Sequence, residues 1–285
     1  MIEQIGIVGA GTMGNGIAQV CAAAGLSVTM TDISDAALTR GTSVVTGSLE
    51  RLVNKQKMTD ADRHAALARI ATTTDNAKFA DCDLVIEAAT ENEDLKIKIL
   101  KDICAKLRPA ALVATNTSSI SITKLAAATD RPDRFIGMHF FNPVPLMALL
   151  ELIRGLQTSD DTHAKAEAFA KRVGKVSITA KNSPGFAVNR ILCPMINEAI
   201  FAVQEGLATP EDIDAGMKLG CNHPIGPLAL ADMIGLDTML SVMEVFYQGF
   251  NDPKYRPAPL LKEMVAAGRL GRKTGMGFYS YGKPA

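Results

Sequence analysis

Short apolar runs alternate with amphipathic segments over the first two thirds of the chain. The stretch QIGIVGAGTMGNGIAQVCAAAGLSVTMTD (4–32) predicts a strand, a glycine turn, a helix and a second strand within about thirty residues, the length of one βαβ unit. Further apolar runs follow at 82–89, 111–119, 135–141 and near 176–180, with helical patterns between most of them. Continuous apolar strands that alternate with helices predict a parallel sheet covered by helices on both faces.

An insertion at 35–70 separates the second strand from the apolar run at 82–89. Its apolar residues recur at helical spacing in two parts, and the stretch MTDAD (58–62) supplies a break and a new N-cap between them. We therefore expect a helical hairpin that stands off the sheet.

The pattern changes at NSPGF (182–186), beyond which no convincing strand pattern follows. Helical periodicity covers four later segments, at 187–206, 210–220, 227–250 and 259–268. The sequence thus predicts an α/β fold of two domains: a Rossmann-type parallel sheet over 1–184 that carries the hairpin, and an all-α domain over 185–285. The later helices are apolar over wide arcs, which indicates either contact with a partner subunit or a thick internal core.

Composition and charge limit the classes of function. A chain of 285 residues with 47% apolar and 21% charged residues is typical of a soluble globular protein with room for two domains. Lys+Arg and Asp+Glu both number 30, so no net field attracts nucleic acid or an anionic membrane. Charged residues interrupt every long apolar stretch, and residues 1–11 lack a secretory pattern, so neither a membrane span nor a leader is expected. The scattered cysteines form no C-x-x-C pair, which favours the reducing cytoplasm.

The stretch GAGTMG fits the pattern G-x-G-x-x-G. Its residues are Gly9, Ala10, Gly11, Thr12, Met13 and Gly14. The motif follows an apolar strand and opens a helix, the context in which a backbone turn and a helix N-terminus bind a pyrophosphate. Asp32 ends the second strand about twenty residues later, where a carboxylate accepts hydrogen bonds from the adenosine ribose and repels a 2′-phosphate. We expect NAD rather than NADP; the alternative for Asp32 is a turn or N-cap residue.

Two polar segments and one histidine follow strands that end at a common edge of the predicted sheet. The segments are TENEDLK (90–96) and NTSS (116–119), and ligands of open parallel sheets bind beyond the carboxyl ends of the strands. Residues 117–119 would alternatively serve as helix caps. His139 lies in the apolar run 134–153, where the ordinary expectation is a core histidine with both ring nitrogens hydrogen-bonded. Its position at the end of a strand directs it to the same edge as the cofactor.

Five segments occur in an order and spacing typical of one enzyme family. They are GAGTMGNGIAQ, NTSS, RFIGMHFFNPVPLMALLE, NSPGFAVNRI and GRKTGMGFY. Over essentially the whole chain, they resemble the 3-hydroxyacyl-CoA dehydrogenase family, most closely its short bacterial members that act on 3-hydroxybutyryl-CoA. The resemblance implies NAD-dependent interconversion of (S)-3-hydroxyacyl-CoA and 3-ketoacyl-CoA, with short acyl chains as substrates.

The resemblance also implies roles for individual residues. His139 would be the catalytic base and Glu151 its partner, while Ser118 and Asn189 would hold the substrate oxygen and the imidazole. The implied cofactor contacts are Gly9, Gly11, Thr12, Met13, Gly14, Asp32, Glu91, Lys96, Asn116, Ser118, Asn142 and Lys273. The implied substrate contacts are Ser48, Lys55, Ser118 and Asn189, of which the first two meet CoA on the hairpin.

Further expectations concern metals, partners and competing functions. The histidines show no metal-ligand spacing, and hydride transfer to a nicotinamide requires no metal, so we expect none. The resemblance implies an acyl-CoA substrate and a homodimer formed through the C-terminal helical domain. One alternative is a non-catalytic dinucleotide-binding protein with a structural or sensing role. Another is a dehydrogenase of free β-hydroxy acids, which would have no use for the hairpin lysines.

Overall fold

The computed structural model describes residues 2–282. Between Ser183 and Pro184 the chain divides into two compact units, and each unit has a hydrophobic core of its own. Met1 and residues 283–285, at the ends of the two predicted domains, lie outside the described residues. No helix within residues 2–282 has both the length and the apolar character needed to cross a lipid bilayer.

An eight-stranded sheet forms the centre of the first unit within the described residues. Its strands are β1 Gln4–Val8, β2 Ser27–Thr31, β3 Ile70–Thr73, β4 Leu84–Glu87, β5 Leu112–Thr115, β6 Phe135–Phe140, β7 Leu149–Arg154 and β8 Val176–Lys181. They lie in the order β3-β2-β1-β4-β5-β6-β7-β8. Neighbouring strands from β3 to β6 are parallel, β7 is antiparallel to β6, and β8 is parallel to β7. The predicted α/β class is confirmed.

Two strands depart from the pattern of apolar runs. The sequence does not predict β7, which makes the sheet mixed rather than wholly parallel. The loop 141–148 leaves no room for the crossover helix that a parallel connection needs, so the chain returns antiparallel along β6. The pattern also misses β3, whose first residue, Ile70, has the spacing of the preceding helix.

Helices connect these strands, and two of them form the predicted hairpin. The helices of the first unit are α1 Thr12–Ala23, α2 Asp35–Asn54, α3 Asp60–Ala68, α4 Glu93–Cys104, α5 Ile122–Ala127 and α6 Asp160–Arg172. In the hairpin, Ser34 caps α2 and Thr59 caps α3 by accepting a backbone hydrogen bond from the first turn. The hairpin does not stand off the sheet, because Leu38, Val45 and Leu49 are buried in the core that the strands share.

The second unit is helical, as the sequence predicts. Its helices are α7 Val188–Gln204, α8 Pro210–Gly220, α9 Pro227–Ile234, α10 Leu236–Phe250 and α11 Pro259–Ala266. The periodicity predicts a single helix over 227–250, but the structure has two. Gly235 separates them with a φ of 102°, a conformation that ends α9 and that glycine adopts without steric cost.

Candidate active site

The glycine motif forms a tight turn from β1 into α1. Gly9 has a φ of +100°, and a side chain at Gly14 would collide with the carbonyl oxygen of Gly9. Thr12 and Met13 begin α1, and no side chain caps the helix. A Cβ at Gly11 would meet nothing within 4 Å, so the mouth of the turn is open. An open turn that presents uncapped helix amides fits a dinucleotide pyrophosphate.

The Asp32 carboxylate is hydrogen-bonded to the backbone of this turn. Its Oδ2 accepts a hydrogen bond from the backbone N–H of Ala10 at 2.8 Å, and its Oδ1 accepts one from Ile33 at 2.7 Å. Ile33 follows Asp32 with its side chain 98% exposed. The hydrophobic pattern does not predict a role for Ile33, although a single aliphatic residue after the strand-end acid is a visible signal. The two residues together present a carboxylate and an apolar surface beside the glycine turn.

Glu91 and Ser118, predicted cofactor contacts from two different segments, meet at the carboxyl edge of the sheet. Glu91 Oε1 accepts hydrogen bonds from the Ser118 backbone N–H at 2.7 Å, from Ser118 Oγ at 3.0 Å and from Thr117 Oγ1 at 3.1 Å. Asn116, just before them, accepts a hydrogen bond from the backbone N–H of Phe140 at 2.9 Å. The side chain of Asn116 therefore joins the NTSS segment to the end of β6.

Lys96, another predicted cofactor contact, is only 1% exposed. Its ammonium group donates to Glu87 Oε2, lies 3.3 Å from Thr115 Oγ1 and lies 3.7 Å from Glu91 Oε2. Glu87 is fully buried at the end of β4. The motifs do not predict Glu87 and Thr115, although an acid at the end of the segment LVIE, followed nine residues later by a lysine, is a detectable signal.

His139 and Glu151 form a buried pair. They face each other across the antiparallel ladder of β6 and β7, and His139 Nδ1 lies 2.7 Å from Glu151 Oε2. His139 is 6% exposed and Glu151 is fully buried. The ring of Phe141 packs against the imidazole, with 4.5 Å between the ring centroids. A carboxylate on Nδ1 fixes the orientation of the imidazole.

A cavity of about 290 Å³ lies between α1, α2 and the loop that follows β6. Ser48, Lys55 and Asn142 all line it, so predicted contacts of CoA and of the cofactor share one cavity. Arg51 also lines the cavity and was overlooked in the sequence. Arg51 lies three residues after Ser48 on the same face of α2 and four residues before Lys55, the residue that caps the C-terminal end of the helix.

Lys175 holds the loop that forms one wall of this cavity. Its ammonium group donates to the carbonyl oxygens of Val144 at 2.6 Å and Met147 at 2.8 Å. Burial lowers the pKa of Lys175 from its ordinary value, because removal from water disfavours the charged form. Val144 is buried against α1, where a Cβ on Gly16 would come within 2.9 Å of it.

The remaining predicted residues, Asn189 and Lys273, belong to the second unit. Asn189 lies in the first turn of α7, and Lys273 lies in a short 3-10 turn at Arg272–Thr274. Lys273 Nζ contacts both carboxylate oxygens of Asp237, at 2.5 and 2.6 Å. Burial alone would raise the pKa of Asp237, but hydrogen bonds from Lys273 and from the Thr238 backbone outweigh it and hold the pKa below its ordinary value.

No group of three or more histidine, cysteine, aspartate or glutamate side chains in residues 2–282 is arranged to hold a metal ion. The polar groups at the carboxyl edge of the sheet are instead suited to binding a nucleotide and to moving a proton. They include the open glycine turn, Asp32 and the His139–Glu151 pair.

Comparisons with known proteins cover both units. Residues 4–183 match the family profile described as "3-hydroxyacyl-CoA dehydrogenase, NAD binding domain", and residues 185–281 match "3-hydroxyacyl-CoA dehydrogenase, C-terminal domain". The 3-hydroxybutyryl-CoA dehydrogenase of Bradyrhizobium diazoefficiens is 54% identical over 281 residues, which is 99% of this chain and 96% of the relative. A probable 3-hydroxybutyryl-CoA dehydrogenase of Deinococcus radiodurans is 54% identical over 98% of this chain and 100% of its own length.

A solved structure is similar over the same extent. The crystal structure of (S)-3-hydroxybutyryl-CoA dehydrogenase from Ralstonia eutropha is 68% identical in sequence and has a TM-score of 0.98. The match covers 99% of this chain and 100% of that one. The sequence similarity and the structural similarity therefore both extend over the two units.

Proposed function

Because this chain belongs to the 3-hydroxyacyl-CoA dehydrogenase family, we propose that it interconverts (S)-3-hydroxybutyryl-CoA and acetoacetyl-CoA, with His139 as the general acid and base. The chain is an NAD-dependent enzyme of this family. The observation that supports the catalytic assignment most directly is the buried hydrogen bond between His139 Nδ1 and Glu151 Oε2.

His139 exchanges the substrate proton in this proposal. Oxidation of a secondary alcohol breaks one O–H bond and one C–H bond, and bound NAD supplies the hydride acceptor. Glu151 engages Nδ1, which assigns the hydroxyl proton to Nε2 of the same ring. The resulting imidazolium lies beside a fully buried carboxylate that compensates its charge. In the reducing direction, the same ring returns the proton to the carbonyl oxygen.

Ser118 and Asn189 complete the catalytic residues of the proposal. Glu91 accepts the Ser118 hydroxyl hydrogen bond, which fixes Ser118 Oγ near the edge of the sheet where the substrate oxygen would lie. Asn189, in α7 of the second unit, is included among the catalytic residues because of the family motif NSPGFAVNR.

The cofactor site is proposed at the N-terminus of α1, and the CoA site in the cavity between α1 and α2. The glycine turn would bind the pyrophosphate of NAD, Asp32 would accept the ribose hydroxyl groups, and Ile33 would pack on the adenine. Ser48 and Lys55 would bind CoA in the 290 Å³ cavity. Because the protein as a whole has no net charge, binding of the CoA phosphates depends on local cations such as Lys55.

Two properties of the whole chain belong to the same proposal. We propose that the enzyme acts in the cytoplasm, a location supported by five unpaired cysteines, and that it forms a homodimer through its second unit. Large apolar side chains on the described surface of that unit support the dimer. They include Ile191, Leu207, Leu219 and Met233.

The test follows NADH absorbance with acetoacetyl-CoA for the wild type and for His139→Ala. We expect the substitution to lower kcat by about 10²- to 10⁴-fold, the usual contribution of a positioned acid or base. His163→Ala is the matched control, because His163 lies in α6 and hydrogen-bonds Thr179. It should leave kcat unchanged.

Other outcomes would identify the competing functions. Turnover of free acetoacetate without turnover of acetoacetyl-CoA would indicate a dehydrogenase of free β-hydroxy acids. Binding of NADH with no turnover of either compound would indicate a non-catalytic dinucleotide-binding protein. Equal rates for the wild type and His139→Ala would remove His139 from the reaction.

A further inference from the structure

Gln19 lies on the face of α1 that borders the cavity of about 290 Å³. Thr12, Asn15 and Gly16 line the cavity from the same face, at the three- and four-residue spacing of one helical stripe. Gln19 follows Thr12 by seven residues, so it lies about 10 Å along the helix from the turn that we assign to the cofactor pyrophosphate. Gln19 therefore borders the cavity at a distance from the glycine motif.

The side-chain amide of Gln19 is buried without a partner among the described residues. Gln19 is only 3% exposed, and its amide forms no hydrogen bond with another residue of 2–282. Asn15, one turn earlier on the same face, instead donates a hydrogen bond to the carbonyl oxygen of Gly11 at 2.8 Å. A buried amide without a partner destabilises a folded protein, and a ligand that supplies the missing hydrogen bonds removes this cost when it binds.

The cavity changes in character from its rim to its interior. Arg51 and Lys55 line it from α2 and are exposed, whereas Gln19 on α1 is buried. Leu52 and the buried Val144 add apolar lining. Charged groups are costly to bury, so the phosphates of a CoA thioester belong at the exposed rim with the two cations. The neutral pantetheine arm is the part of CoA that suits the interior.

We propose that Gln19 binds an amide group of the pantetheine arm and so determines specificity for CoA thioesters. The inference rests on the proposed function, which assigns CoA to this cavity. A glutamine side chain has two N–H donors and a carbonyl acceptor, and each secondary amide of pantetheine has one N–H and one carbonyl oxygen. The two groups can therefore exchange a pair of hydrogen bonds. A free β-hydroxy acid has no amide that could do so.

The experiment compares Gln19→Met with Lys55→Met and Gln248→Met. Methionine is similar in length to glutamine but has no amide. Gln248 is an exposed glutamine of α10 and provides the matched control. The two substrates are acetoacetyl-CoA and acetoacetyl-pantetheine, which keeps both amides and lacks the nucleotide with its phosphates. The measurements are kcat and KM for each substrate, KM for NADH, and thermal melting of the free protein.

We expect Gln19→Met to raise KM about 10-fold for both substrates, because it leaves a pantetheine amide unpaired in the cavity. Its kcat should stay within about 2-fold of the wild type, since the lost contact is made equally in the ground state and the transition state. Its melting temperature should not fall, because the free protein loses a buried amide that has no partner among the described residues. Lys55→Met should raise KM for acetoacetyl-CoA alone, and Gln248→Met should behave as the wild type.

Three kinetic results would overturn the inference. The first is a wild-type KM for acetoacetyl-CoA in Gln19→Met. The second is a raised KM for acetoacetyl-CoA alone, which would place Gln19 at the nucleotide end of CoA. The third is a parallel rise in KM for NADH, which would place Gln19 in the cofactor site.

A crystal structure of the wild type with bound acetoacetyl-CoA decides the question without any variant. The Gln19 amide should lie within about 3.2 Å of a pantetheine nitrogen or oxygen atom, and contact with a different part of CoA, or with none, would contradict the inference. This structure also decides if the wild type turns over acetoacetyl-CoA but not acetoacetyl-pantetheine, or if Gln19→Met does not fold.

Failure of the proposed function is distinguishable from failure of this inference. If the wild type turns over neither substrate, the proposed function fails, and calorimetric titration with CoA itself still tests Gln19. Gln19→Met should then bind CoA about 10-fold more weakly than the wild type. Equal binding by the two proteins, or no binding by the wild type, would reject the recognition of pantetheine by Gln19.

Discussion

Asp32 accepts hydrogen bonds from the backbone N–H groups of Ala10 and Ile33, one on each carboxylate oxygen. Each oxygen retains a second lone pair that can accept a ribose hydroxyl. Its negative charge is thereby fixed beside the glycine turn, where a phosphate on the ribose would be repelled. The discrimination between NAD and NADP should therefore depend on the charge of this one side chain.

We expect the wild type to use NADH at least about 100-fold more efficiently than NADPH, measured as kcat/KM with acetoacetyl-CoA. Asp32→Asn keeps the shape of the side chain and removes its charge, so the preference for NADH should fall. Asp35→Asn, an exposed acid at the start of α2, is the control and should keep the wild-type ratio. Equal use of NADH and NADPH by the wild type would contradict the role of Asp32.

Single residues of the site differ in how far the sequence predicts them. Asp32 follows from its place after the second strand of a βαβ unit, whereas Glu151 alone has the pattern of an exposed charge at a strand end. Family motifs pair Glu151 with His139, and the structure brings the two within hydrogen-bonding distance. Glu87 remained unpredicted because its partner Lys96 belongs to another element, and hydrophobic periodicity contains no information on ion pairs between elements.

At the scale of elements, the loop 141–148 depends on one lysine. Lys175, the residue before β8, donates to two carbonyl oxygens of this loop and so holds the wall of the cavity against α1. The two carbonyl groups would have no such donor if the ammonium group were removed. The cavity that we assign to CoA should widen as a result.

Lys175→Met should lower the free energy of unfolding by about 1–3 kcal/mol, the cost of leaving buried polar groups unbonded. It should raise KM for acetoacetyl-CoA and leave KM for NADH closer to the wild-type value. Lys171→Met, an exposed lysine in the last turn of α6, is the matched control. Urea unfolding and steady-state kinetics measure the two effects, and an unchanged KM for acetoacetyl-CoA would show that the loop does not shape the substrate site.

Most elements followed from periodicity, and the exceptions have physical causes. Strands β1, β2, β4, β5 and β6 are buried apolar runs, which a sequence reveals directly. The direction of β7 depends on the length of loop 141–148, and the break at Gly235 depends on one backbone angle. Neither property alters the spacing of apolar residues, so neither is visible in the hydrophobic pattern.

At the scale of the whole molecule, the second unit has apolar surface beyond its own core. The wide apolar arcs of the predicted helices had two explanations, contact with a partner subunit or a thick internal core. The core of this unit is present, and Leu207 and Leu219 nevertheless remain exposed to 78% and 87%. This surface supports the proposed homodimer.

Sedimentation analysis should give a dimer for the wild type. At least one of the substitutions Ile191→Glu, Leu207→Glu and Leu219→Glu should shift it to a monomer, because a buried unpaired charge opposes association. Leu156→Glu, at an equally exposed leucine of the first unit, should leave the dimer intact. A monomeric wild type, or dissociation by Leu156→Glu alone, would contradict dimerisation through the second unit.

Because β7 returns antiparallel along β6, the geometry of the His139–Glu151 pair is set by the register of these two strands. Backbone hydrogen bonds of the ladder hold the two residues opposite each other, so the register of the two strands, rather than the side chains of 141–148, sets their contact. Substitutions in loop 141–148 can therefore change the wall of the cavity while His139 and Glu151 keep their contact. By contrast, a one-residue insertion inside β7 would turn Glu151 to the other face of the sheet.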